Sequence, residues 1–394
     1  MERLQRICNQ LTPNQTAASH DNNNRLPTHM RALYKSQPTE GFDLVSNHPV
    51  PTPKSDELLV KSMAVAICGS DAKLYHWHNI TDKVAKLPFI PGHEAAGQVV
   101  QVGDNIDAKQ FCVGDRVAIE NHFYCGQSTC IQCKSGRGDI CPNMGQFGFG
   151  KGTPFGGCCE YFVVKAKYCY KLRTPFISWR DASLLEPLGV ACNAIDELDI
   201  DYANNESYVS ETYAVTGCGA VGLMVIAALK AVGICNIVAF DVLDWKLEIA
   251  KKMGASQVVN TRDMSNVQVA ECVNKLTENH GFGRIVECSG NENVIALLFR
   301  MIRKGGKIVM VGLPKHKIVI EEAMNNWVLN AIQIRSIHGR KIFDSWRKAE
   351  KLVQEAKIDL DLVVSHFIPM TEFQRGYDDW FRGEACKVVF DPTK

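Results

Sequence analysis

The sequence predicts an α/β protein in which a β-rich region precedes a doubly wound parallel sheet. Three observations carry that expectation. Short apolar or alternating runs, punctuated by Gly, Pro and Asp, fill the early part of the chain. From Tyr213 onward, strands alternate with helical runs, as βαβ units require. At the first strand-to-helix turn of that alternation stand Gly217, Gly219 and Gly222, spaced Gly-x-Gly-x-x-Gly.

The elements follow in order. Residues 1–28 are polar and turn-prone, with His20, Asp21, Asn22, Asn23, Asn24 and Arg25 in succession, and are expected to be a disordered tail. Arg3, Arg6 and Arg25 against Glu2 and Asp21 keep a mitochondrial transit peptide as the alternative. Strands are expected at 58–67, 97–102 and 114–118, the last led by a turn. The rhythm changes near 199–210. Strand 213–216, helix 223–232, strand 236–241, helix 246–253, strand 257–260, helix 266–279, strand 284–288, helix 293–303 and strand 307–311 then make the βαβ series. From about Arg335 the pattern is mixed, with a helix at 345–356 and a last strand at 387–390.

Composition narrows the class. At 394 residues the chain has room for about two domains. With 46% hydrophobic and 22% charged residues it reads as globular. Lys and Arg number 44 against 43 Asp and Glu, so no general basic field draws nucleic acid or an anionic membrane. No apolar run reaches the ~18–20 residues a bilayer span needs. Sixteen cysteines with no apolar leader after Met1 point to a reducing compartment, the cytoplasm, where clustered cysteines bind metal.

The glycine stretch has a mechanical reading. Gly217 permits the tight turn, Gly219 lets the backbone approach a pyrophosphate, and Gly222 lets helix and strand pack closely. The pyrophosphate then meets the free N–H groups and dipole of a helix N-terminus. Asp241 lies 19 residues beyond Gly222, at the end of the next strand. A carboxylate there accepts bonds from the ribose hydroxyls and repels a 2′-phosphate, so NAD is expected over NADP, with Lys246 within reach of the ribose.

Two cysteine constellations differ in kind. Cys125, Cys130, Cys133 and Cys141 are spaced Cys-x4-Cys-x2-Cys-x7-Cys in a polar stretch. Four thiolates make a closed tetrahedral zinc site, which pins a loop lacking a core and leaves no position for substrate. The second set is dispersed: Cys68 with Ser70 and Asp71, His93 with Glu94, and Glu186. These could build an open zinc site. Equally, His93 could be a core histidine and Glu186 an acid favoured by a helix start.

The pattern as a whole resembles the zinc-dependent medium-chain alcohol and polyol dehydrogenases, from Met30 to the C-terminus. Its marks are Gly92-His93-Glu94, Cys68-Gly69-Ser70-Asp71, the four-cysteine lobe, Gly114-Asp115-Arg116-Val117 and the late glycine motif with its Asp. The resemblance implies a catalytic domain of partly open β-barrel (GroES-like) architecture at 29–190 and 335–394, and an inserted Rossmann domain at 191–334. It implies two zincs per subunit and NAD. Cys68, His93 and Glu94 would hold the catalytic zinc, with Glu186 as fourth ligand or a near carboxylate, and Ser70 would relay a proton. The implied reaction is hydride transfer from a secondary alcohol to NAD, in a homotetramer or homodimer.

Within the family, Ile337-His338-Gly339-Arg340, Ser345-Trp346, Leu185 to Gly189, Val363 to His366, and Gly383 before Lys387 to Phe390 resemble the zinc-type threonine 3-dehydrogenases. His122, three residues before Cys125, matches a substrate-side histidine of that group. Sorbitol-type polyol dehydrogenases share Cys68 to Asp71 and Glu186. Three features depart from the threonine pattern: the first lobe spacing is Cys-x4-Cys rather than Cys-x2-Cys, Lys73 stands where a histidine is usual, and Val190 follows Gly189. A non-catalytic NAD(H)-binding zinc protein is the reading from another class, but such relatives lose the catalytic ligands that remain here. Nucleic-acid binding through the lobe fails for want of charge, with only Lys134 and Arg137.

Overall fold

The computed structural model describes residues 26–77, 81–200 and 211–394. The expected tail up to residue 25 and most of the change of rhythm, 201–210, lie outside the described residues. The first region holds nine strands: β1 (His29–Tyr34), β2 (Asp43–Pro49), β3 (Glu57–Ala66), β4 (Glu94–Val102), β5 (Arg116–Ile119), β6 (His122–Phe123), β7 (Gly145–Gln146), β8 (Tyr161–Lys165) and β9 (Cys169–Lys171). Helix α1 (Leu185–Asp196) follows.

The second region alternates β10 (Tyr213–Thr216), α2 (Ala220–Ala231), β11 (Ile237–Asp241), α3 (Asp244–Met253), β12 (Gln257–Asn260), α4 (Asn266–Leu276), β13 (Phe282–Glu287), α5 (Glu292–Met301), β14 (Ile302–Met310) and β15 (Gln333–Ser336). The chain ends with α6 (Asp344–Gln354), β16 (Val364–Pro369), α7 (Phe373–Phe381) and β17 (Lys387–Asp391).

Strand β3 is the hub of the first sheet. It pairs antiparallel with β4, β8 and β17, and the sheet runs β16-β17-β3-β4-β5-β9. A strand with three partners curls the sheet into a partly open barrel around Leu58, Val60, Val65, Phe89, Phe162 and Phe390. The C-terminal strands thereby complete a sheet begun at the other end of the chain.

The second sheet is wholly parallel, in the order β12-β11-β10-β13-β14-β15. After β12 the chain crosses to the other side of β10, so the strand order reverses between β10 and β13. Such a reversal opens a crevice at the strands' carboxyl ends.

Helix α1 joins the two sheets. Its Leu188 and Ala191 share one core with Ala96 and Ala118 of the first sheet and with Leu223 and Val225 of α2. The expected boundary at 190 falls inside this helix, and that at 335 falls inside β15. Pro187 does not interrupt α1. It stands in the first turn, where a backbone N–H has no helical partner to lose. Helix α4 stops at Leu276 instead of 279, because the Thr277 hydroxyl bonds back to Val273 O and Glu278 and Asn279 turn to positive φ. Among the described residues no helix is long and apolar enough to cross a membrane.

Candidate active site and metal centres

The register of β3 against β4 sets Ala66 opposite Glu94. Cys68 lies just beyond Ala66 and His93 just before Glu94, so strand pairing alone draws the three together. Their ligand atoms lie within 4.8 Å of one another. The turn into β4 needs glycine: Gly92 has φ +92°, and a Cβ there would strike Cys158 Sγ at 2.6 Å.

Asp71 orients the group. Its Oδ1 lies 3.3 Å from His93 Nδ1, and its Oδ2 accepts the Cys68 N–H at 2.9 Å. That leaves His93 Nε2 facing the other ligands, with Ser70 Oγ 3.4 Å away. A carboxylate facing the far ring nitrogen, as Asp71 does here at 3.3 Å, is the arrangement that aims a metal-ligating imidazole. Burial pushes the Cys68 thiol up, but His93 and Lys387 together outweigh it and bring the thiol to about 7, toward the thiolate that ligates metal. Thiolate, imidazole and carboxylate, three ligand atoms within 4.8 Å of one another, fit a zinc site.

Glu94 has a partner from the far end of the chain. Lys387 Nζ donates to Oε1 at 2.8 Å, to Oε2 at 2.7 Å and to Ile67 O at 2.8 Å. Strand β17 runs beside β3, with Val389 opposite Ala66, and this delivers the lysine. Burial raises the Glu94 carboxyl to about 8, with Lys387 opposing. A cation among these ligands would favour the ionised form further.

Glu186 is not in that group. Its Oε1 accepts from Arg340 Nη1 at 2.6 Å and from Asn121 Nδ2 at 3.0 Å. Arg340 Nη2 reaches Glu120 Oε1 at 2.6 Å, and Trp346 Nε1 reaches Glu120 Oε2 at 2.8 Å. Burial raises the Glu186 carboxyl despite Arg340. His122, on β6, is buried, and its ring lies 4.8 Å from that of His338 at an interplanar angle of 4°. Burial, with Arg340 and His338 adding, drives His122 well below the usual imidazole range, so it is neutral.

The four lobe cysteines also converge. Sγ separations are 3.7 Å for Cys125–Cys133, 3.9 Å for Cys130–Cys141 and 3.5 Å for Cys125–Cys141. A tetrahedron with Zn–S near 2.3 Å has edges of about 3.8 Å, so the cluster fits zinc. The longer Cys-x4-Cys spacing is absorbed in the loop between Cys125 and Cys130, where Gly126 has φ +66° and Cys130 N–H closes on Gln127 O.

At the crevice, Gly217 follows β10 with φ +88°, and a Cβ there would meet Ser289 N at 2.8 Å. A Cβ on Gly222 would lie 1.9 Å from Gly217 O. Gly219 caps α2 and has open space beside it, a cradle that fits a pyrophosphate. Asp241 Oδ2 accepts the Cys218 N–H at 2.6 Å, and Oδ1 accepts the N–H groups of Val242 and Leu243. Lys246 stands in the first turn of α3 at the same end of the sheet.

Comparison with known proteins meets this geometry. Residues 54–174 match the alcohol dehydrogenase GroES-like domain, and residues 220–355 match the zinc-binding dehydrogenase domain. An L-threonine 3-dehydrogenase of Coxiella burnetii (strain Dugway 5J108-111) is 34% identical over 92% of this chain and 99% of its own. The chain belongs to the zinc-binding alcohol dehydrogenase family.

The alcohol dehydrogenase TADH of Thermus sp. ATN1 aligns with a TM-score of 0.79 at 26% identity, over 92% of this dehydrogenase and 99% of that chain. An Escherichia coli CFT073 alcohol dehydrogenase complexed with NADH aligns with a TM-score of 0.81 over 93% and 100%, at 22% identity a likeness of fold. This dehydrogenase is an oxidoreductase of CH–OH donors, with zinc and NAD as its cofactors.

Sequence reasoning missed three residues of this dehydrogenase's site. Lys387 was read only as the start of a strand, Arg340 only as part of a family run, and Glu120 not at all. Nothing local marks a charge whose partner lies 293 or 220 positions away. In zinc-free protein, replacing Lys387 by Met leaves Glu94 buried and without its cation, and is expected to lower the unfolding free energy by about 3–5 kcal/mol. The Glu94→Gln, Lys387→Met double variant should recover part of that. Urea titrations of the three proteins would check it; equal stability in the single and double variants would contradict the pairing.

Proposed function

We propose that this dehydrogenase oxidises the β-hydroxyl of L-threonine, a secondary alcohol beside two charged groups, with a polyol such as sorbitol as the alternative substrate. The observation that carries the proposal is the similarity to L-threonine 3-dehydrogenases over nearly the whole chain. A buried neutral imidazole, His122, near the metal-ligating group supports it. The retained Cys68, His93 and Glu94 argue against a non-catalytic NAD(H)-binding protein.

The geometry supports a role for each residue. Cys68, His93 and Glu94 would hold a zinc that would serve as Lewis acid to the substrate hydroxyl, and bound NAD would be the hydride acceptor. Asp71 keeps the His93 ring turned, and Lys387 keeps Glu94 in place. Ser70, half-buried beside His93, takes the hydroxyl proton and passes one on to solvent. Lys73 stands in place of an outer histidine, so water serves as the next acceptor. Glu186 acts as a near carboxylate, since Arg340 and Asn121 occupy its Oε1. His122 bonds the polar end of the substrate. Cys125, Cys130, Cys133 and Cys141 hold the second, structural zinc.

Gly217, Gly219 and Gly222 seat the pyrophosphate of NAD, and Asp241 and Lys246 face the ribose. A homodimer or homotetramer is supported by β15, a fully exposed edge strand, and by the exposed Leu313, Val319, Met324, Val328 and Leu329 nearby. Two thiolate-bearing sites suit a reducing compartment such as the cytoplasm.

Two measurements test this reading. Asp241→Gly should raise the KM for NAD about tenfold and narrow the gap between NAD and NADP, because a charged hydrogen bond and a repulsion are lost together. Equal use of NADP by the unmodified enzyme would remove Asp241 from the ribose. A site built to bond ammonium and carboxylate should reject analogues lacking them by ~10⁴-fold. Steady-state kinetics with L-threonine, sorbitol and xylitol decide: a higher kcat/KM for either polyol transfers the enzyme to the alternative.

A further inference from the structure

The connector 337–340, between β15 and α6, touches both the cysteine lobe and His122. His338 Nδ1 lies 2.8 Å from Asp139 O. A carbonyl only accepts, so Nδ1 carries the proton and points the ring edge at the lobe. The residue that carries this carbonyl is buried and has its side chain paired. Asp139 sits between Cys133 and Cys141, 1% exposed, with its carboxylate gripped by Arg137 through contacts of 3.0, 3.2 and 2.7 Å.

The other face of His338 lies flat against His122, 4.8 Å between ring centroids and 4° from parallel. Next to it Gly339, at φ +60°, closes on the same ring: a Cβ there would strike His122 Cε1 at 2.4 Å. Asn193 Nδ2 donates to Gly339 O at 3.0 Å and fixes that turn.

His122 needs this clamp. Its Nδ1 is buried with no hydrogen-bond partner among the described residues, and Glu120 Oε1 is 3.8 Å away. A functional imidazole is ordinarily aimed by a hydrogen bond on its second nitrogen. Here no such bond fixes the ring, and the stacked plate of His338 and the bare edge of Gly339 do so instead.

We propose that His338 is a positioning residue for substrate selection: anchored on the cysteine lobe, it holds the His122 ring toward the polar end of the substrate. This rests on His122 being the partner of that polar end. The lobe is then more than a staple, because its geometry reaches the substrate through Asp139, His338 and His122 in turn.

The experiment uses His338→Ala, His338→Phe and His338→Gln in the full-length holoenzyme, with zinc content and circular dichroism checked against the unmodified protein. His338→Ala frees the His122 ring and should raise the KM for L-threonine about tenfold, with kcat changed much less, because one oriented hydrogen bond is at stake. The ratio of kcat/KM for L-threonine to that for 2-butanol, which has no polar end, should fall by a similar factor. His338→Phe keeps the plate without the anchor and should recover part of the loss. His338→Gln keeps a donor without the plate and should not. An unchanged ratio in His338→Ala, a loss carried by kcat, or equal losses in the Ala and Phe variants would overturn the proposal. If the unmodified enzyme prefers sorbitol, the substrate reading fails separately, and the same ratio taken with sorbitol still decides the role of His338.

Discussion

Glu94 carries a carboxylate where water barely reaches, 1% exposed, and much of the structure exists to keep that charge in company. A buried carboxylate left alone costs several kcal/mol, so its partners have to be delivered with good geometry. Lys387 is one, and it can arrive only if β17 runs beside β3. The first sheet is therefore completed by the last strand of the chain, after the parallel sheet has been laid down. The same logic governs Glu120 and Glu186, which share Arg340 from the connector that leaves β15. Both cations come from the returning segment, so the site is assembled only when both regions are in place.

The two cysteine constellations illustrate how burial and openness divide tasks. Four thiolates close on one another in the lobe, with separations suited to a tetrahedron and no gap for substrate. Cys68, His93 and Glu94 come from strand ends instead, three ligand atoms rather than four. Arg340 occupies Glu186 apart from that group. The connector that carries Arg340 also carries His338, so one short segment meets both the Glu120 and Glu186 carboxylates and the His122 ring.

Periodicity and spacing revealed what is local. The βαβ series could be read because each strand is a short apolar run and each helix keeps its own period. The lobe could be read because four cysteines fall within one polar stretch. Pairing of Cys68 with His93 was only one of two open readings until the family pattern was seen, since the β3–β4 register joining them is not written in either segment. Of helix α1 only a possible start at Glu186 was legible, because Pro187 and Gly189 look like breakers. Pro187 sits where no helical hydrogen bond is lost, and Gly189 makes room for Arg340, whose Cδ would be 3.0 Å from a Cβ there. Lys387 and Arg340 were invisible as partners because a long-range ion pair leaves no mark on the residues around either end.

The most direct measurement is anomalous scattering at the zinc K-edge from crystals of the whole enzyme. Two peaks per subunit are expected, one among Cys68, His93 and Glu94 with Lys387 still on Glu94, and one among Cys125, Cys130, Cys133 and Cys141. A fully active enzyme with no peak among Cys68, His93 and Glu94 would contradict the assignment of that buried group as the metal centre.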